Sequence, residues 1–232
     1  MTIIEATSPG DAWCKVSRYL LGNGVKVGNL TEELNVVTEI TEFKSDEWFD
    51  NHFREVMGDD RIDFAKTVTF LKPELNKSDN QFFDNSDGLD YQYIKDHWHQ
   101  SYWGRMISWK GEFNQIENVI KILSTGKSVK RCELIIFDPS RDARNPYSQP
   151  CMVMIDLKPR NGKLYLTSIL RSNRVSKSGY ADYTALTELG KFLSEQSGLT
   201  LEKVTTLACS CHIGDMNQEK KKTIKLLEML NR

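Results

Sequence analysis

The stretch that most restricts the fold runs from Met152 to Leu170. Two strand-like segments, Met152 to Leu157 and Lys163 to Leu170, flank Pro159-Arg160-Asn161-Gly162. Asn-Gly between two such segments is the preferred tight turn of an antiparallel hairpin, because both residues accept a positive φ. A hairpin of this length carries a consequence at its open end. Cys151 enters the first strand directly after Pro150, and Arg171-Ser172 leave the second, so the pair comes close to the cysteine. A guanidinium near a thiol favours the thiolate and offers a fork for a phosphate. By itself a cysteine at a strand edge is usually a packing residue; its company is what marks Cys151 as a candidate nucleophile. Lys130-Arg131, before another apolar run, is a second phosphate candidate or a solvated edge.

Elsewhere helices and strands interleave. Leu30 to Phe43 alternates after Glu33, with Val36, Thr38 and Ile40 on one face and Val37, Glu39 and Thr41 on the other. Ser45 to Met57 turns helical, with Ser45 as cap and Trp48, Phe49, Phe53 and Val56 as its apolar stripe. Gly111 to Leu123 places Phe113, Ile116, Ile120 and Leu123 at helical spacing, with Gly126 as a stop. Cys132 to Phe137 is a short strand, Tyr183 to Gln196 a helix ending at Gly198, Val204 to Ile213 a strand, and Gln218 to Leu230 a closing helix. Glu74 to Asp90, rich in Asn, Asp and Ser, reads as a long surface loop. No repeat and no glycine fingerprint of a dinucleotide fold appears. The pattern is α+β with a largely buried sheet, and 232 residues suit a single domain with a substantial core.

Charge excludes some functions. Lys and Arg number 31 against 32 Asp and Glu, a balance that argues against bulk attraction to a nucleic-acid polymer or an acidic membrane. No apolar run approaches the roughly 18 residues of a membrane span, and the N-terminus lacks a basic region followed by an apolar one. The expectation is a cytoplasmic protein whose five cysteines are thiols. Cys209, Cys211 and His212 have poor zinc spacing, and strand alternation puts the two cysteines on one face as buried packing; no metal is expected. His97 and His99, flanking Trp98 in the aromatic-rich stretch Tyr91 to Trp109, read as core packing or subunit contact.

Several motifs follow one another between about residues 103 and 213. Tyr102-Trp103-Gly104-Arg105 and Phe113-Asn114-Gln115-Ile116 come first. Lys130-Arg131 precedes Phe137-Asp138-Pro139, Gln149-Pro150-Cys151 opens the hairpin, and Gly162-Lys163-Leu164 turns it. Arg171-Ser172 leaves it, Asp182-Tyr183 begins the next helix, and His212-Ile213 closes a strand. In this order they resemble the core motifs of the thymidylate synthase superfamily, which includes the cytidylate hydroxymethylases. The resemblance implies a thymidylate synthase-like fold over residues 1–232, a mixed β-sheet flanked by helices and dimerising through the sheet. It implies that Cys151 adds as a thiolate to C6 of a pyrimidine and makes C5 nucleophilic. Arg171 and Ser172 would hold the 5′-phosphate of a pyrimidine nucleoside monophosphate, with Lys130 and Arg131 reaching across from the second subunit of a homodimer with shared sites. His212 would contact the sugar hydroxyl, and 5,10-methylenetetrahydrofolate would supply the one-carbon unit.

Asp182 stands where uracil-specific members of the superfamily have asparagine, and the cytidylate hydroxymethylases have aspartate there. A carboxyl suits cytosine, accepting from the amino group and, when protonated, donating to N3. Asp182 could also simply cap the helix that follows. The resemblance therefore implies hydroxymethylation of dCMP or CMP. Other positions depart from the family. Arg174 replaces the aspartate that binds the folate pterin. Gly214 replaces a tyrosine, losing a sugar contact and opening space near the ribose. No clear segment supplies the proton-transfer glutamate, for which Glu47 and Glu55 are substitutes. Tyr102 and Trp103 are further site candidates. The alternative is a protein that keeps the fold and the nucleotide pocket but has lost folate chemistry.

Overall fold

In a computed structural model of the chain, residues 1–44, 46–58, 101–144, 149–214 and 218–230 are described. The loop expected at Glu74 to Asp90, the His97-Trp98-His99 cluster and the Ser45 cap lie outside them.

The hairpin forms as its turn chemistry dictates. Strands β5 (Met152–Arg160) and β6 (Lys163–Leu170) pair antiparallel, joined by Asn161 and Gly162 at φ 52° and 76°. Around it assembles a sheet ordered β1-β3-β8-β6-β5-β4. Its other strands are β1 (Thr2–Ala6), β3 (Leu30–Ile40), β4 (Glu133–Ile135) and β8 (Thr200–Gly214). The short β2 (Val25–Val27) pairs with β3, and β7 (Asn173–Arg174) pairs with β8. The sheet is mixed: β8 runs parallel to β6 and antiparallel to β3. Helix α1 (Pro9–Asn23), capped by Ser8, and α2 (Glu47–Met57), capped by Asp46, precede the site elements. Then come α3 (Tyr102–Ile107), α4 (Gln115–Leu123), the single turn α5 (Pro139–Asp142), α6 (Tyr180–Ser197) and α7 (Glu219–Met229).

One face of the sheet is buried through Val36, Thr38, Ile40, Val204, Thr206, Leu164, Leu166 and Leu157, which matches the alternation predicted for Leu30 to Phe43. The other face is not covered to the same degree, so the sheet is less buried than its sequence suggests. Cross-strand register lines up Ile3, Val37, Leu207, Ile169, Met154 and Ile135, one residue from each of six adjacent strands. Neighbours in register share a face, so these six form an apolar row across the whole sheet. Its ends, Ile3 and Ile135, are exposed at 57% and 40%, and the four between are half-buried. Charged pairs such as Lys203 with Glu39 at 2.8 Å and Lys158 with Asp156 border the row.

Three packing expectations change. Trp48 is 45% exposed, with its ring stacked on His52, because Asp50 and Met57 rather than Trp48 complete the buried stripe of α2. Phe113 is 50% exposed because α4 begins only at Gln115, capped by Asn114, and Phe113 instead pairs with Trp109 in a tight turn. Cys209 is exposed while Cys211 is buried. The strand is irregular there: Asn35, opposite Cys209, has a φ of 56°.

The outer edge of β4 is closed by a side chain. Gln115 Nε2 donates to the carbonyls of Ile135 and Arg105 at 2.8 and 2.9 Å, and its Oε1 accepts from Ile135 N–H at 2.9 Å. The amide thus imitates one residue of a neighbouring strand and pins α4 to the sheet. Gln115→Leu should destabilise the protein by about 2 to 3 kcal/mol, because two carbonyls and an amide lose buried partners, measured as a shift in the urea unfolding midpoint.

Candidate active site

The topology gathers one set of strand ends. Cys151 precedes β5, Arg171 and Ser172 follow β6, Arg174 lies on β7, and His212 is near the end of β8. The open end of the hairpin is closed by a hydrogen bond of 2.9 Å from Arg171 N–H to Cys151 O. The Arg171 side chain turns the same way: Nε donates to Pro150 O and a terminal nitrogen to Gln149 O, both at 2.9 Å. The guanidinium is therefore held against the segment that carries the cysteine.

Tyr102, at the start of α3, completes the surroundings of Cys151. Its hydroxyl accepts the backbone N–H groups of Cys151 and Met152 at 3.1 and 3.3 Å. With its lone pairs engaged, the phenol's proton is left to favour the ionised form of the Cys151 thiol. Burial is the main influence on Cys151 and raises its pKa above that of an ordinary thiol. Arg171 opposes that rise, Asp182 reinforces it, and Tyr102 opposes it. The sequence expectation that Arg171 makes a thiolate is thus only half met, because desolvation outweighs the cation. Tyr102 itself is held protonated by burial, then by Asp182 and Cys151. The other buried cysteines are ordinary packing: burial pushes Cys14, Cys132 and Cys211 up to about 12, 11 and 12.

Asp182 is half-buried in the first turn of α6, an electrostatic neighbour of both Cys151 and Tyr102. It is not the helix cap. A π-helical turn, Val175–Gly179, runs straight into α6, and no side chain caps the junction. Gly179 keeps that turn close to the strand before it, since a Cβ there would lie 2.8 Å from Asn173 Oδ1. The capping alternative for Asp182 is therefore removed.

His212 is buried and lies in register with Glu32 on β3 and Arg174 on β7. Burial, and then Arg174, lower its pKa, against Glu32 and Glu219. Arg174 makes a two-pronged ion pair with Glu219 at the head of α7, Nε to Oε2 at 3.0 Å and a terminal nitrogen to Oε1 at 2.7 Å. Ser176 Oγ donates to the same carboxylate at 2.6 Å and accepts Gly214 N–H at 3.0 Å. A Cβ on Gly214 would stand 2.7 Å from both Arg174 and Glu219. The space expected to open at Gly214 is thus filled by the ion pair.

Other candidates fall elsewhere. Lys130 and Arg131 are exposed just before β4, beside Arg160, whose guanidinium donates to Val129 O. A strand rises about 3.3 Å per residue, so β5 separates them from Cys151 by about 25 Å. Trp103 is buried in the core cluster. Glu47 and Glu55 are exposed on α2; the buried carboxylate of that helix is Asp50, which accepts from the Tyr180 hydroxyl. Asp50, Glu219, Glu32 and Ser210 escaped sequence reasoning. The first two had a faint signal, an acid on an apolar stripe and an acid heading a helix. Glu32 and Ser210 had none, since only strand register unites them. No group of three or more His, Cys, Asp or Glu able to hold a metal occurs among the described residues, and no helix among them is long and apolar enough to cross a membrane.

Alkylation of Cys151 by iodoacetamide tests these electrostatics. The reactive thiolate should appear with a midpoint above that of an ordinary thiol. Asp182→Asn should lower the midpoint by removing a negative neighbour, and Arg171→Ala should raise it by removing a positive one. Identical pH profiles in all three proteins would refute the arrangement.

The chain resembles known proteins along most of its length. A family model described as thymidylate synthase matches residues 48–228. A protein named "Putative thymidylate synthase" from Methanococcoides burtonii is 24% identical over 223 residues, 94% of this chain and 92% of that one. Another of that name, from Methanocaldococcus jannaschii, is 33% identical over 108 residues, 44% of this chain and 48% of its own. Among solved structures, thermostable thymidylate synthase A from Bacillus subtilis superposes with a TM-score of 0.64 over 96% of this chain and 84% of that one, at 13% identity, a likeness of fold.

Proposed function

The chain belongs to the thymidylate synthase family, and from that premise we propose that it activates C5 of a cytidine 5′-monophosphate, dCMP or CMP, for transfer of a one-carbon unit, most simply as hydroxymethyl. The observation that carries this is the grouping of Cys151 between Arg171 and Asp182 at one end of the sheet. The Cys151 thiolate adds to C6, a C–S bond forms, and the ring's electron density moves onto C5. C5 then takes up a proton from water or attacks a one-carbon electrophile. Loss of the original C5 hydrogen as a proton, with its electron pair forming the C5–C6 double bond and expelling the thiolate, restores the ring. Asp182 reads the cytosine edge, Arg171 and Ser172 hold the phosphate, and His212 meets the sugar.

The family's one-carbon donor, methylenetetrahydrofolate, fits this chain poorly at one point. Where relatives present a carboxylate to the pterin, Arg174 stands with its fork spent on Glu219, and Glu219 is itself engaged by three donors. Neither charge is left for a pterin, so any folate would be held by other contacts. The same ion pair favours the second reading, a nucleotide-binding member without folate chemistry. Release of tritium from C5-labelled cytidylate, measured with and without methylenetetrahydrofolate, decides between them. The enzyme should release it above background, Cys151→Ala should abolish release, and Asp182→Asn should weaken cytidylate binding by roughly tenfold or more, the worth of a charged hydrogen bond. Background exchange in the unaltered protein supports the second reading, and unchanged affinity in Asp182→Asn removes the base assignment.

We also propose a homodimer through the open sheet face. Lys130 and Arg131 are too far from Cys151 to serve the site of their own chain, and the six-residue apolar row offers a self-complementary surface to a second copy. Placing a charge in that row, Leu207→Glu, should yield monomers by sedimentation and weaken nucleotide binding together with it. A monomeric unaltered protein would refute the interface.

A further inference from the structure

We propose that Glu32 and Ser210 hold His212 as a hydrogen-bond acceptor for its ligand, with the ring proton on Nδ1 and the Nε2 lone pair free. This deepens the proposed sugar contact and rests on it for the identity of the ligand group. Strand register sets Glu32 directly opposite His212, and Ser210 precedes the histidine by two residues on β8. Ser210 Oγ donates to Glu32 Oε1, and the same oxygen lies 3.4 Å from His212 Nδ1. A serine hydroxyl has one proton. That proton goes to the carboxylate, so toward the ring Ser210 can only accept, and Nδ1 must carry a hydrogen.

The ring has a single proton to place at neutral pH. Burial and Arg174 keep it neutral against the pull of Glu32 and Glu219, and Glu219 cannot claim it because Arg174 and Ser176 occupy its oxygens. Nε2 has no hydrogen-bond partner among the described residues. A bare Nε2 accepts from a hydroxyl and repels a phosphate oxygen or a carbonyl. The ligand atom facing His212 is thus a donor, which a sugar hydroxyl is. Glu32 and Ser210 are positioning residues, acting only through the ring.

Nitrogen-15 NMR of the labelled full chain reads the tautomer without any ligand. The His212 ring should show a protonated Nδ1 and a bare Nε2. Ser210→Ala and Glu32→Gln should shift it toward the Nε2–H form that free neutral histidine favours, and Ser210→Thr should restore the original pattern. An Nε2–H ring in the unaltered protein, or a pattern unmoved by either variant, would overturn the proposal. Calorimetry with CMP and its 3′-deoxy analogue then tests the ligand group. The unaltered protein should prefer the hydroxylated nucleotide about three- to tenfold, the worth of one hydrogen bond, and Ser210→Ala should lose most of that ratio. Equal affinities beside an Nδ1–H ring would overturn the sugar contact while leaving the positioning in place.

Discussion

The hydrogen bond from Arg171 N–H to Cys151 O closes the hairpin at the end opposite its Asn-Gly turn, and the site is in register with it. Once β5 and β6 pair, the cysteine and the arginine are backbone neighbours whatever their side chains do. Parallel pairing of β6 with β8 then carries the end of β8 to the same edge. The polypeptide leaving β6 makes β7, the π-helical turn and α6 in succession, which returns Asp182 to the cysteine. A one-residue slip in the hairpin would move its inward set to the other face and scatter these groups.

The environment so formed is not the one a list of residue types suggests. A guanidinium beside a thiol reads as an activating pair, yet burial dominates and the resting cysteine is a thiol. An arginine in place of an aspartate reads as a new free cation, yet Arg174 is consumed by Glu219. Partly buried and two-pronged, that pair ties the strand after the hairpin to the last helix, and removing one partner would leave the other charge uncompensated. Gly214 is part of the same construction, since any side chain there would collide with the pair.

Much of the fold was legible because its signals are local. Alternation gave the inward residues of β3, positive-φ residues marked the hairpin turn, and Gly198 marked the end of α6. Misplacements came where a tertiary neighbour overrode local pattern. Trp48 yielded its buried place to Asp50, which is tolerated inside because the Tyr180 hydroxyl meets it. Strand β1 and helix α1 were not read from the sequence; β1 pairs with a partner more than thirty residues away. In the site, Cys151, Arg171 and Asp182 were found through motif order. Glu219, Glu32 and Ser210 were not, because their meaning lies in pairing across strands and helices.

From sequence alone come the hairpin, the α+β class, the candidate nucleophile and the phosphate candidates, which depend on residue type and short-range spacing, while the base candidate Asp182 came from the resemblance in motif order. Tertiary structure alone decided the thiol's protonation, the closure of the Arg174 charge and the distance of Lys130 and Arg131 from their own Cys151. It alone also left one face of the sheet open with an apolar row. These follow from burial and from contacts between residues far apart in the chain, and desolvation and long-range register are quantities that no short stretch of sequence contains.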